Sequence, residues 1–212
     1  MIPQTPAPVV NADLEQAHIF DLTSENKEFQ QINLADTAQM CGYFERMLKQ
    51  THVGIGRYNE NRTIYARSPM FAGRTVHLGI DIFAPAGTPV FAPLNGKVHS
   101  FQNNAAFGDY GPTIILEHEG FFTLYGHLST DSLRGLEEGQ TILAGQQIGK
   151  MGNTEVNGNW PTHVHFQIIT DMQGKKGDYP GVTSIQEREK YLKLCPDPNT
   201  ILRIRKLDKA IQ

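Results

Sequence analysis

The chain carries the stretch Thr113-Ile114-Ile115-Leu116-Glu117-His118-Glu119-Gly120-Phe121-Phe122-Thr123-Leu124-Tyr125, in which a Glu-Gly pair separates two runs of β-branched and aromatic residues. Runs of this kind on either side of a turn dipeptide predict two antiparallel strands. Residues 87–92 and 96–101 flank the turn 93–95 in the same way. Strand-plus-turn units then recur at a spacing of about eight to twelve residues between 76 and 169, which is typical of an all-β domain. The sequence therefore predicts a mainly β fold, a compact antiparallel sheet or sandwich.

The residues before this region predict a short extension with one helix. Residues 17–22 favour a strand, and residues 37–50 carry apolar side chains at three- and four-residue steps, as one helix face requires. Asp36 or Thr37 can cap that helix. Residues 53–58 and 63–66 flank a polar stretch and predict a hairpin.

A second helix is predicted over residues 184–194, before Pro196. These patterns divide the chain into an N-terminal extension of strand, helix and hairpin (1–70), a β domain (71–172), and a C-terminal helix and tail (173–212). We expect the extension to pack on the β body.

Composition excludes several classes of partner. Nineteen Lys and Arg against 22 Asp and Glu give a formal net charge of -3, and no basic run could follow a phosphate backbone, so we expect no nucleic-acid partner. No apolar run is long enough to span a bilayer, and the N-terminus lacks a secretory signal. The chain as written is therefore expected in the cytoplasm, or in the periplasm or outside the cell if a signal was trimmed. Cys41 and Cys195 fit no metal spacing and are expected to be free thiols.

Four histidines and one aspartate stand in motifs that suit a metal site. His77 and Asp81 share the motif His-Leu-Gly-Ile-Asp, and His163 and His165 lie two apart, which on a strand puts both rings on one face. His127 follows Tyr125 at the same spacing. A catalytic zinc takes three protein ligands and keeps one position for water, so one histidine of the pair can bind metal while the other lies beside that water. Unassigned histidines are His18, His52, His99 and His118, of which His118 is expected to be solvated.

These motifs resemble the signature of the lysostaphin/LytM-type zinc endopeptidases, which cleave peptides of peptidoglycan. The surrounding residues agree, since 84–90 read Ala-Pro-Ala-Gly-Thr-Pro-Val and 145–149 read Gly-Gln-Gln-Ile-Gly. The resemblance covers roughly residues 73–170. It implies a compact antiparallel β fold with the metal in a groove, a peptide or peptidoglycan-fragment substrate, and one Zn²⁺ per chain. It also implies that the metal ligands are His77, Asp81 and His165 and that the catalytic residues are His127 and His163.

The sequence departs from the family pattern in two places. Residues 155–162, just before the closing His-x-His, are not the usual Gly- and Ser/Thr-rich turn, and Gln167 stands where a glutamate is common. Trp160 and Tyr110 either line the groove or anchor loops, two interpretations that the sequence leaves open, whereas Tyr125 is expected to be a packing residue.

Three alternatives compete with the peptidoglycan endopeptidase. The first is a binding module that keeps the fold without catalysis, which the complete ligand set disfavours. The second is a hydrolase of a small cytoplasmic amide, because the segment also resembles peptidase-like pieces of cytoplasmic fusion proteins. The third is a swinging-arm carrier, but its only suggestive tripeptide, residues 208–210, lies outside any predicted hairpin.

Overall fold

The structure is a computed structural model that describes residues 5–208. Within this range the strands and helices are, in chain order, β1 (His18–Phe20), α1 (Thr37–Leu48), β2 (Gly54–Gly56), β3 (Arg74–His77), β4 (Ile80–Phe83), β5 (Pro89–Phe91), β6 (Gly96–Asn104), β7 (Gly111–Glu117), β8 (Phe122–Gly126), β9 (Thr141–Ile142), β10 (Gln147–Lys150), β11 (His163–Ile169), β12 (Val182–Ser184), α2 (Arg188–Leu194), α3 (Asn199–Leu202) and α4 (Arg205–Asp208). In this part of the chain, no helix is long and apolar enough to cross a membrane.

One eight-stranded sheet organises the molecule, in the order β1-β2-β4-β11-β8-β7-β6-β9. Its neighbours pair antiparallel except β1 and β2, which run parallel. The predicted mainly β fold is thus confirmed, as an eight-stranded mixed sheet with helices before and after it. The one parallel pair comes from the N-terminal extension, whose two strands extend the edge of the sheet.

The main core lies on one face of this sheet. Alternate residues of β4, β7 and β11 share that core with residues of β5 and β10, which form a separate two-stranded sheet. In β11 the apolar residues Val164, Phe166 and Ile168 belong to this core, as expected because successive side chains of a strand point to opposite faces. The intervening residues His163, His165 and Gln167 therefore face the other side.

The N-terminal extension covers part of that other side. Helix α1 begins after Asp36, one of the two predicted caps, whose side chain accepts hydrogen bonds from the backbone N–H groups of Ala38 and Gln39. Its buried face packs Phe44 against Phe20 and Phe83, with ring centroids 4.5 and 4.7 Å apart. These rings belong to a second core, which joins the extension to the sheet.

Two local predictions are wrong. Residues 53–66 do not form a hairpin: β2 pairs with β1 and β4, while residues 64–67 form a 3₁₀ turn. Long-range pairing with β4 satisfies the backbone of β2 better than a local turn, and residues 59–62 run beside β3 instead. The C-terminal helix begins at Arg188, not at residue 184, because residues 182–184 pair with β3.

His118 is also predicted wrongly, since it is buried. Its ring lies 2.8 Å from the carbonyl oxygen of Asn95 and 2.8 Å from the hydroxyl of Thr123, so local hydrogen bonds replace solvent. Tyr125 is a core residue as predicted. Lys209 and Ala210 of the carrier tripeptide lie outside the described residues.

A substitution in the second core tests how much the packing of the N-terminal extension contributes to the stability of the fold. Phe20→Ala removes a fully buried ring that touches both α1 and β4, and we expect it to lower the free energy of unfolding by about 3–5 kcal/mol. Urea denaturation followed by circular dichroism measures this, with the 60% exposed Leu143→Ala as a control that should leave stability nearly unchanged. A loss below about 1 kcal/mol for Phe20→Ala would show that the extension contributes little to the folded body.

Candidate metal centre

The register of the sheet places the candidate site in one row across four strands. Asp81 of β4 lies opposite Gly56 of β2 on one side and His165 of β11 on the other, and His165 in turn lies opposite Gly126 of β8. His77 reaches the same point from the end of β3, whose partner strand is β12. The long-range pairing of strands far apart in sequence therefore brings His77, Asp81 and His165 together.

Three ligand atoms form a nearly equilateral triangle. Nε2 of His77 lies 3.0 Å from Nδ1 of His165 and 3.2 Å from Oδ1 of Asp81, and the third side, from His165 Nδ1 to Asp81 Oδ1, is 3.1 Å. Among the described residues these three are the only group of at least three His, Cys, Asp or Glu whose ligand atoms cluster closely enough to hold a metal ion. Tetrahedral zinc with bonds near 2.0–2.1 Å separates its ligand atoms by roughly 3.3 Å. The donor set and its spacing therefore fit a zinc ion.

Outer hydrogen bonds fix which nitrogen of each histidine faces this triangle. His77 Nδ1 lies 2.9 Å from the carbonyl oxygen of Arg57, so Nδ1 carries the proton and Nε2 is free to bind. His165 Nε2 lies 2.8 Å from Oε1 of Gln167, which leaves Nδ1 free. Metal-binding histidines commonly donate their other N–H in this way, which orients the ring. Gln167 thus serves as an acceptor where the family pattern has a carboxylate.

The close approach of Gly79 to the site explains why a glycine stands there. A Cβ on Gly79 would lie 2.6 Å from the His165 ring, too close for any side chain. The motif His-Leu-Gly-Ile-Asp therefore supplies two candidate ligands, His77 and Asp81, and its glycine leaves room for the ring of the third, His165.

The second oxygen of Asp81 is held from behind by Arg62. The guanidinium of Arg62 donates to Oδ2 at 2.6 Å, and both side chains are only 3–4% exposed. Arg62 also donates to Glu60 at 2.9 Å and to the carbonyl oxygen of Arg57 at 3.1 Å, so it is fixed on three sides. Burial alone would raise the pKa of Asp81, but His77 and Arg62 hold it well below the ordinary value. The carboxylate is therefore kept ionised, with Oδ1 directed at the triangle.

His127 and His163 lie beside the three ligand atoms. His163 Nε2 is 3.7 Å from Oδ1 of Asp81, and the ring centroids of His127 and His163 are 4.2 Å apart. Each ring directs Nδ1 at a backbone carbonyl, that of Pro161 at 2.6 Å for His163 and that of Asn157 at 2.8 Å for His127. The proton thus resides on Nδ1 in both rings, and both Nε2 atoms can accept a proton.

Strand alternation does not account for the position of His127. Strand β8 ends at Gly126, and His127 adopts φ +62°, in the left-handed region that few residues other than glycine enter. Tyr125 points into the main core, so the predicted shared face of Tyr125 and His127 is wrong. Backbone strain of this kind is concentrated at functional sites, where the surrounding structure over-determines it.

The structure thus brings together all five residues that the sequence singled out, and each of them is 1–5% exposed. Trp160 and Tyr110 line the cavity beside them, which is the first of the two alternatives that the sequence left open. The residues that sequence reasoning missed are Arg62 and its partner Glu60. The contact of Arg62 with Asp81, 19 residues further along the chain, leaves no periodic signal, and both Glu60 and Arg62 lie in the polar stretch of the predicted hairpin.

Comparison with known proteins agrees with this arrangement. The profile of Peptidase family M23 matches residues 75–178, which contain all five site residues. Lipoprotein NlpD of Yersinia enterocolitica is 38% identical to the chain over 89 residues, which are 42% of this chain and 84% of that protein. The chain belongs to peptidase family M23. Residues 57–62, which hold His77 and Asp81 from behind, precede the matched segment.

Other relatives are matched over smaller shares of their length. An uncharacterized metalloprotease of Haemophilus influenzae is 32% identical to the chain over a segment that covers 71% of this chain and 33% of that protein. The peptidoglycan DD-endopeptidase ShyA of Vibrio cholerae is 31% identical over a segment that covers 53% of this chain and 25% of that protein. The chain thus spans about a third or less of the length of these two relatives. The catalytic domain of lysostaphin from Staphylococcus simulans superposes with a TM-score of 0.43 at 27% identity, covering 61% of this chain and 80% of that domain.

Because Arg62 holds Asp81, we expect substitution of Arg62 to weaken metal binding. Arg62→Met keeps a long side chain but removes the donor, and we expect it to raise the Zn²⁺ dissociation constant by about 10–100-fold, as loss of such outer partners does. Competition with a chromophoric chelator measures the constant, at a temperature where circular dichroism shows the variant folded. Arg46→Met, which removes an exposed arginine paired with Glu28, is the matched control. Wild-type affinity in folded Arg62→Met protein would contradict a role of Arg62 in holding Asp81.

Gln167 also contacts Cys195, which makes that thiol a reporter of local burial. Burial raises the pKa of the Cys195 thiol to about 12, and burial also raises that of Cys41. Because the thiolate is the reactive form, a raised pKa slows reaction with disulfide reagents at pH 8. We expect the Cys41→Ser variant, which retains only Cys195, to show no labelling when native and one thiol per chain when unfolded. Rapid labelling of the native variant would show that the back of the site opens.

Proposed function

We propose that the chain is a zinc-dependent metallopeptidase that hydrolyses an amide bond in peptides of the peptidoglycan type. The observation that carries this proposal is the triangle of donor atoms from His77, Asp81 and His165, with sides of 3.0–3.2 Å. Membership of family M23 supports the reaction class. The named activities of ShyA and of the DD-carboxypeptidase/endopeptidase Mpg of Neisseria meningitidis, 33% identical over 51% of this chain, support the substrate class.

The ligand set suits hydrolysis. A zinc ion bound by two neutral imidazoles and one carboxylate keeps a net positive charge, which lowers the pKa of a bound water to about 7 and polarises a carbonyl group. Burial, and then the charge of Arg62, lowers the pKa of His77 to about 3, so its ring is neutral and able to bind metal at neutral pH. No proton has to leave His77 before the metal enters.

His127 and His163 are suited to accept and return a proton. Burial lowers the pKa of both rings, and neighbouring His163 lowers that of His127 further, so both are neutral at pH 7. With Nδ1 donating to a backbone carbonyl, each ring presents an unprotonated Nε2. One ring can take the proton of the attacking water and later give it to the leaving amine, and the imidazolium formed in between can stabilise the developing oxyanion. A binding module without catalysis would have no use for two such rings.

Single substitutions separate metal binding from catalysis. We expect His165→Ala to lose most bound zinc and all zinc-dependent hydrolysis, because it removes one of three ligands. We expect His127→Ala to keep about one zinc per chain while losing at least about 100-fold in turnover, the lower end of a general acid–base contribution. Metal content by mass spectrometry and release of new amino groups from soluble peptidoglycan peptides measure the two properties.

His52→Asn is the matched control for these variants. His52 is exposed, lies outside the cavity, and has φ +58°, a conformation that asparagine tolerates well. It should retain full zinc content and full turnover. Wild-type turnover in zinc-loaded His127→Ala protein would refute the role given to that ring, and a wild-type protein that takes up no zinc would refute the proposed function as a whole.

A further inference from the structure

One segment just before β11 contacts both of the histidine rings that are proposed to move protons. The backbone carbonyl oxygen of Asn157 lies 2.8 Å from Nδ1 of His127, and that of Pro161 lies 2.6 Å from Nδ1 of His163. The partner of one ring nitrogen decides the tautomer and the direction of the other nitrogen. The position of residues 157–161 therefore determines where both Nε2 atoms point. This segment lies in the stretch that departs from the family pattern.

A tight turn gives the segment its shape. The fully buried side chain of Asn157 accepts a hydrogen bond from the backbone N–H of Trp160 and donates one to the carbonyl oxygen of Trp160, both at 3.0 Å. Between them the backbone is left-handed, with φ +81° at Gly158 and +66° at Asn159. A left-handed residue other than glycine carries backbone strain, so the turn depends on contacts that hold it from outside.

Arg67 of the N-terminal extension supplies such a contact. Its guanidinium donates to the carbonyl oxygen of Asn159 at 2.8 Å. The same group lies over two aromatic rings, with Cζ 4.7 Å from the centroid of Trp160 and 4.7 Å from that of Phe107. It also donates to the hydroxyl of Thr37, the first residue of α1, at 3.1 Å. Arg67 therefore links helix α1 to the segment that orients the two histidines.

This guanidinium is buried without an opposite charge beside it. Arg67 is 8% exposed, and within the part of the chain that the structure describes no carboxylate lies within 4.0 Å of it. Burial lowers its pKa, as expected for a cation that is offset only by uncharged groups and aromatic rings. Such a charge lowers stability relative to an apolar side chain. The contacts of Arg67 therefore point to a role in the site rather than in general stability.

We propose that Arg67 is a positioning residue of the proposed hydrolase, which holds residues 157–161 in the conformation that orients His127 and His163. The inference rests on the proposed function, because it concerns the two rings that move protons there. Without Arg67 the turn can relax, and each ring then loses the carbonyl that keeps its Nε2 directed at the reacting water. Residue 67 precedes the segment that the family profile matches, so this support comes from the extension.

The three candidate metal ligands are held by other residues. Their outer partners are the carbonyl of Arg57, the guanidinium of Arg62 and the side chain of Gln167. None of these belongs to residues 157–161. Substitution of Arg67 is therefore expected to change turnover without changing zinc content.

The Arg67→Met variant tests the orientation of the rings without removing either of them. Methionine keeps a long side chain but has no charge and no N–H donor. We expect kcat to fall by about 10–100-fold with KM and zinc content nearly unchanged, since a small misplacement of a catalytic group has an effect of this size. Hydrolysis of soluble peptidoglycan peptides and metal content are measured where circular dichroism shows the variant folded. Arg46→Met, which removes an exposed arginine, is the matched control and should keep wild-type values.

Nuclear magnetic resonance of zinc-loaded protein, isotope-labelled at the histidine nitrogens, gives a readout that a merely structural role would not move. The Nδ1–H groups of His127 and His163 are buried and hydrogen-bonded, so we expect a slowly exchanging resonance from each in the wild type. We expect Arg67→Met to lose both resonances and to keep the N–H resonances of His77 and His165, whose partners are unchanged. Single alanine variants of His127 and His163 assign the signals.

A conservative variant keeps the test decisive. Arg67→Lys retains the charge and one donor but not the flat guanidinium, so we expect a smaller loss of kcat, about three- to tenfold. Wild-type kcat and resonances in folded Arg67→Met protein, or loss of its zinc, would overturn the proposal. If that variant does not fold, wild-type values in Arg67→Lys would overturn it. A wild-type chain without zinc-dependent hydrolysis would instead overturn the proposed function, and the resonances would still decide whether Arg67 orients the rings.

Discussion

The buried carboxylate of Asp81 is the group on which the rest of the site depends. A carboxylate at 3% exposure is costly unless charges and donors surround it, and here its two oxygens are used from opposite sides. Oδ2 accepts from Arg62, and Oδ1 faces His77 and His165. The protein thus stabilises an ionised ligand and fixes its direction with the same contact.

The N-terminal extension is part of the candidate metal centre, because it supplies the residues that hold Asp81 and His77 in place. Its strand β2 lies beside β4, and Gly56 leaves the room that Arg62 occupies, since a Cβ there would lie 2.7 Å from the guanidinium. The same extension supplies the carbonyl of Arg57 that orients His77. Two of the three candidate ligands are therefore positioned by residues that precede the segment matched by the family profile.

The extension also shapes the space in front of the ligands. Residues of its aromatic core line part of the cavity, and its 3₁₀ turns bring Tyr65 and Phe71 to the wall near Trp160. Part of the cavity lining therefore comes from residues outside the segment that the family profile matches, while the candidate metal ligands lie within it.

The sequence by itself determined the mainly β architecture and the helix that begins after Asp36 or Thr37, because these leave periodic patterns. It also identified the five candidate site residues, through the family resemblance of their motifs. The alternation in β11 alone places His163 and His165 on one face and the core residues on the other. Only the tertiary structure decided that β2 joins the sheet, that Arg62 binds Asp81, and that His127 turns toward the site through a left-handed backbone. These features arise from contacts between segments far apart in the chain, where pairing and burial outweigh local preference and no short-range pattern records the outcome.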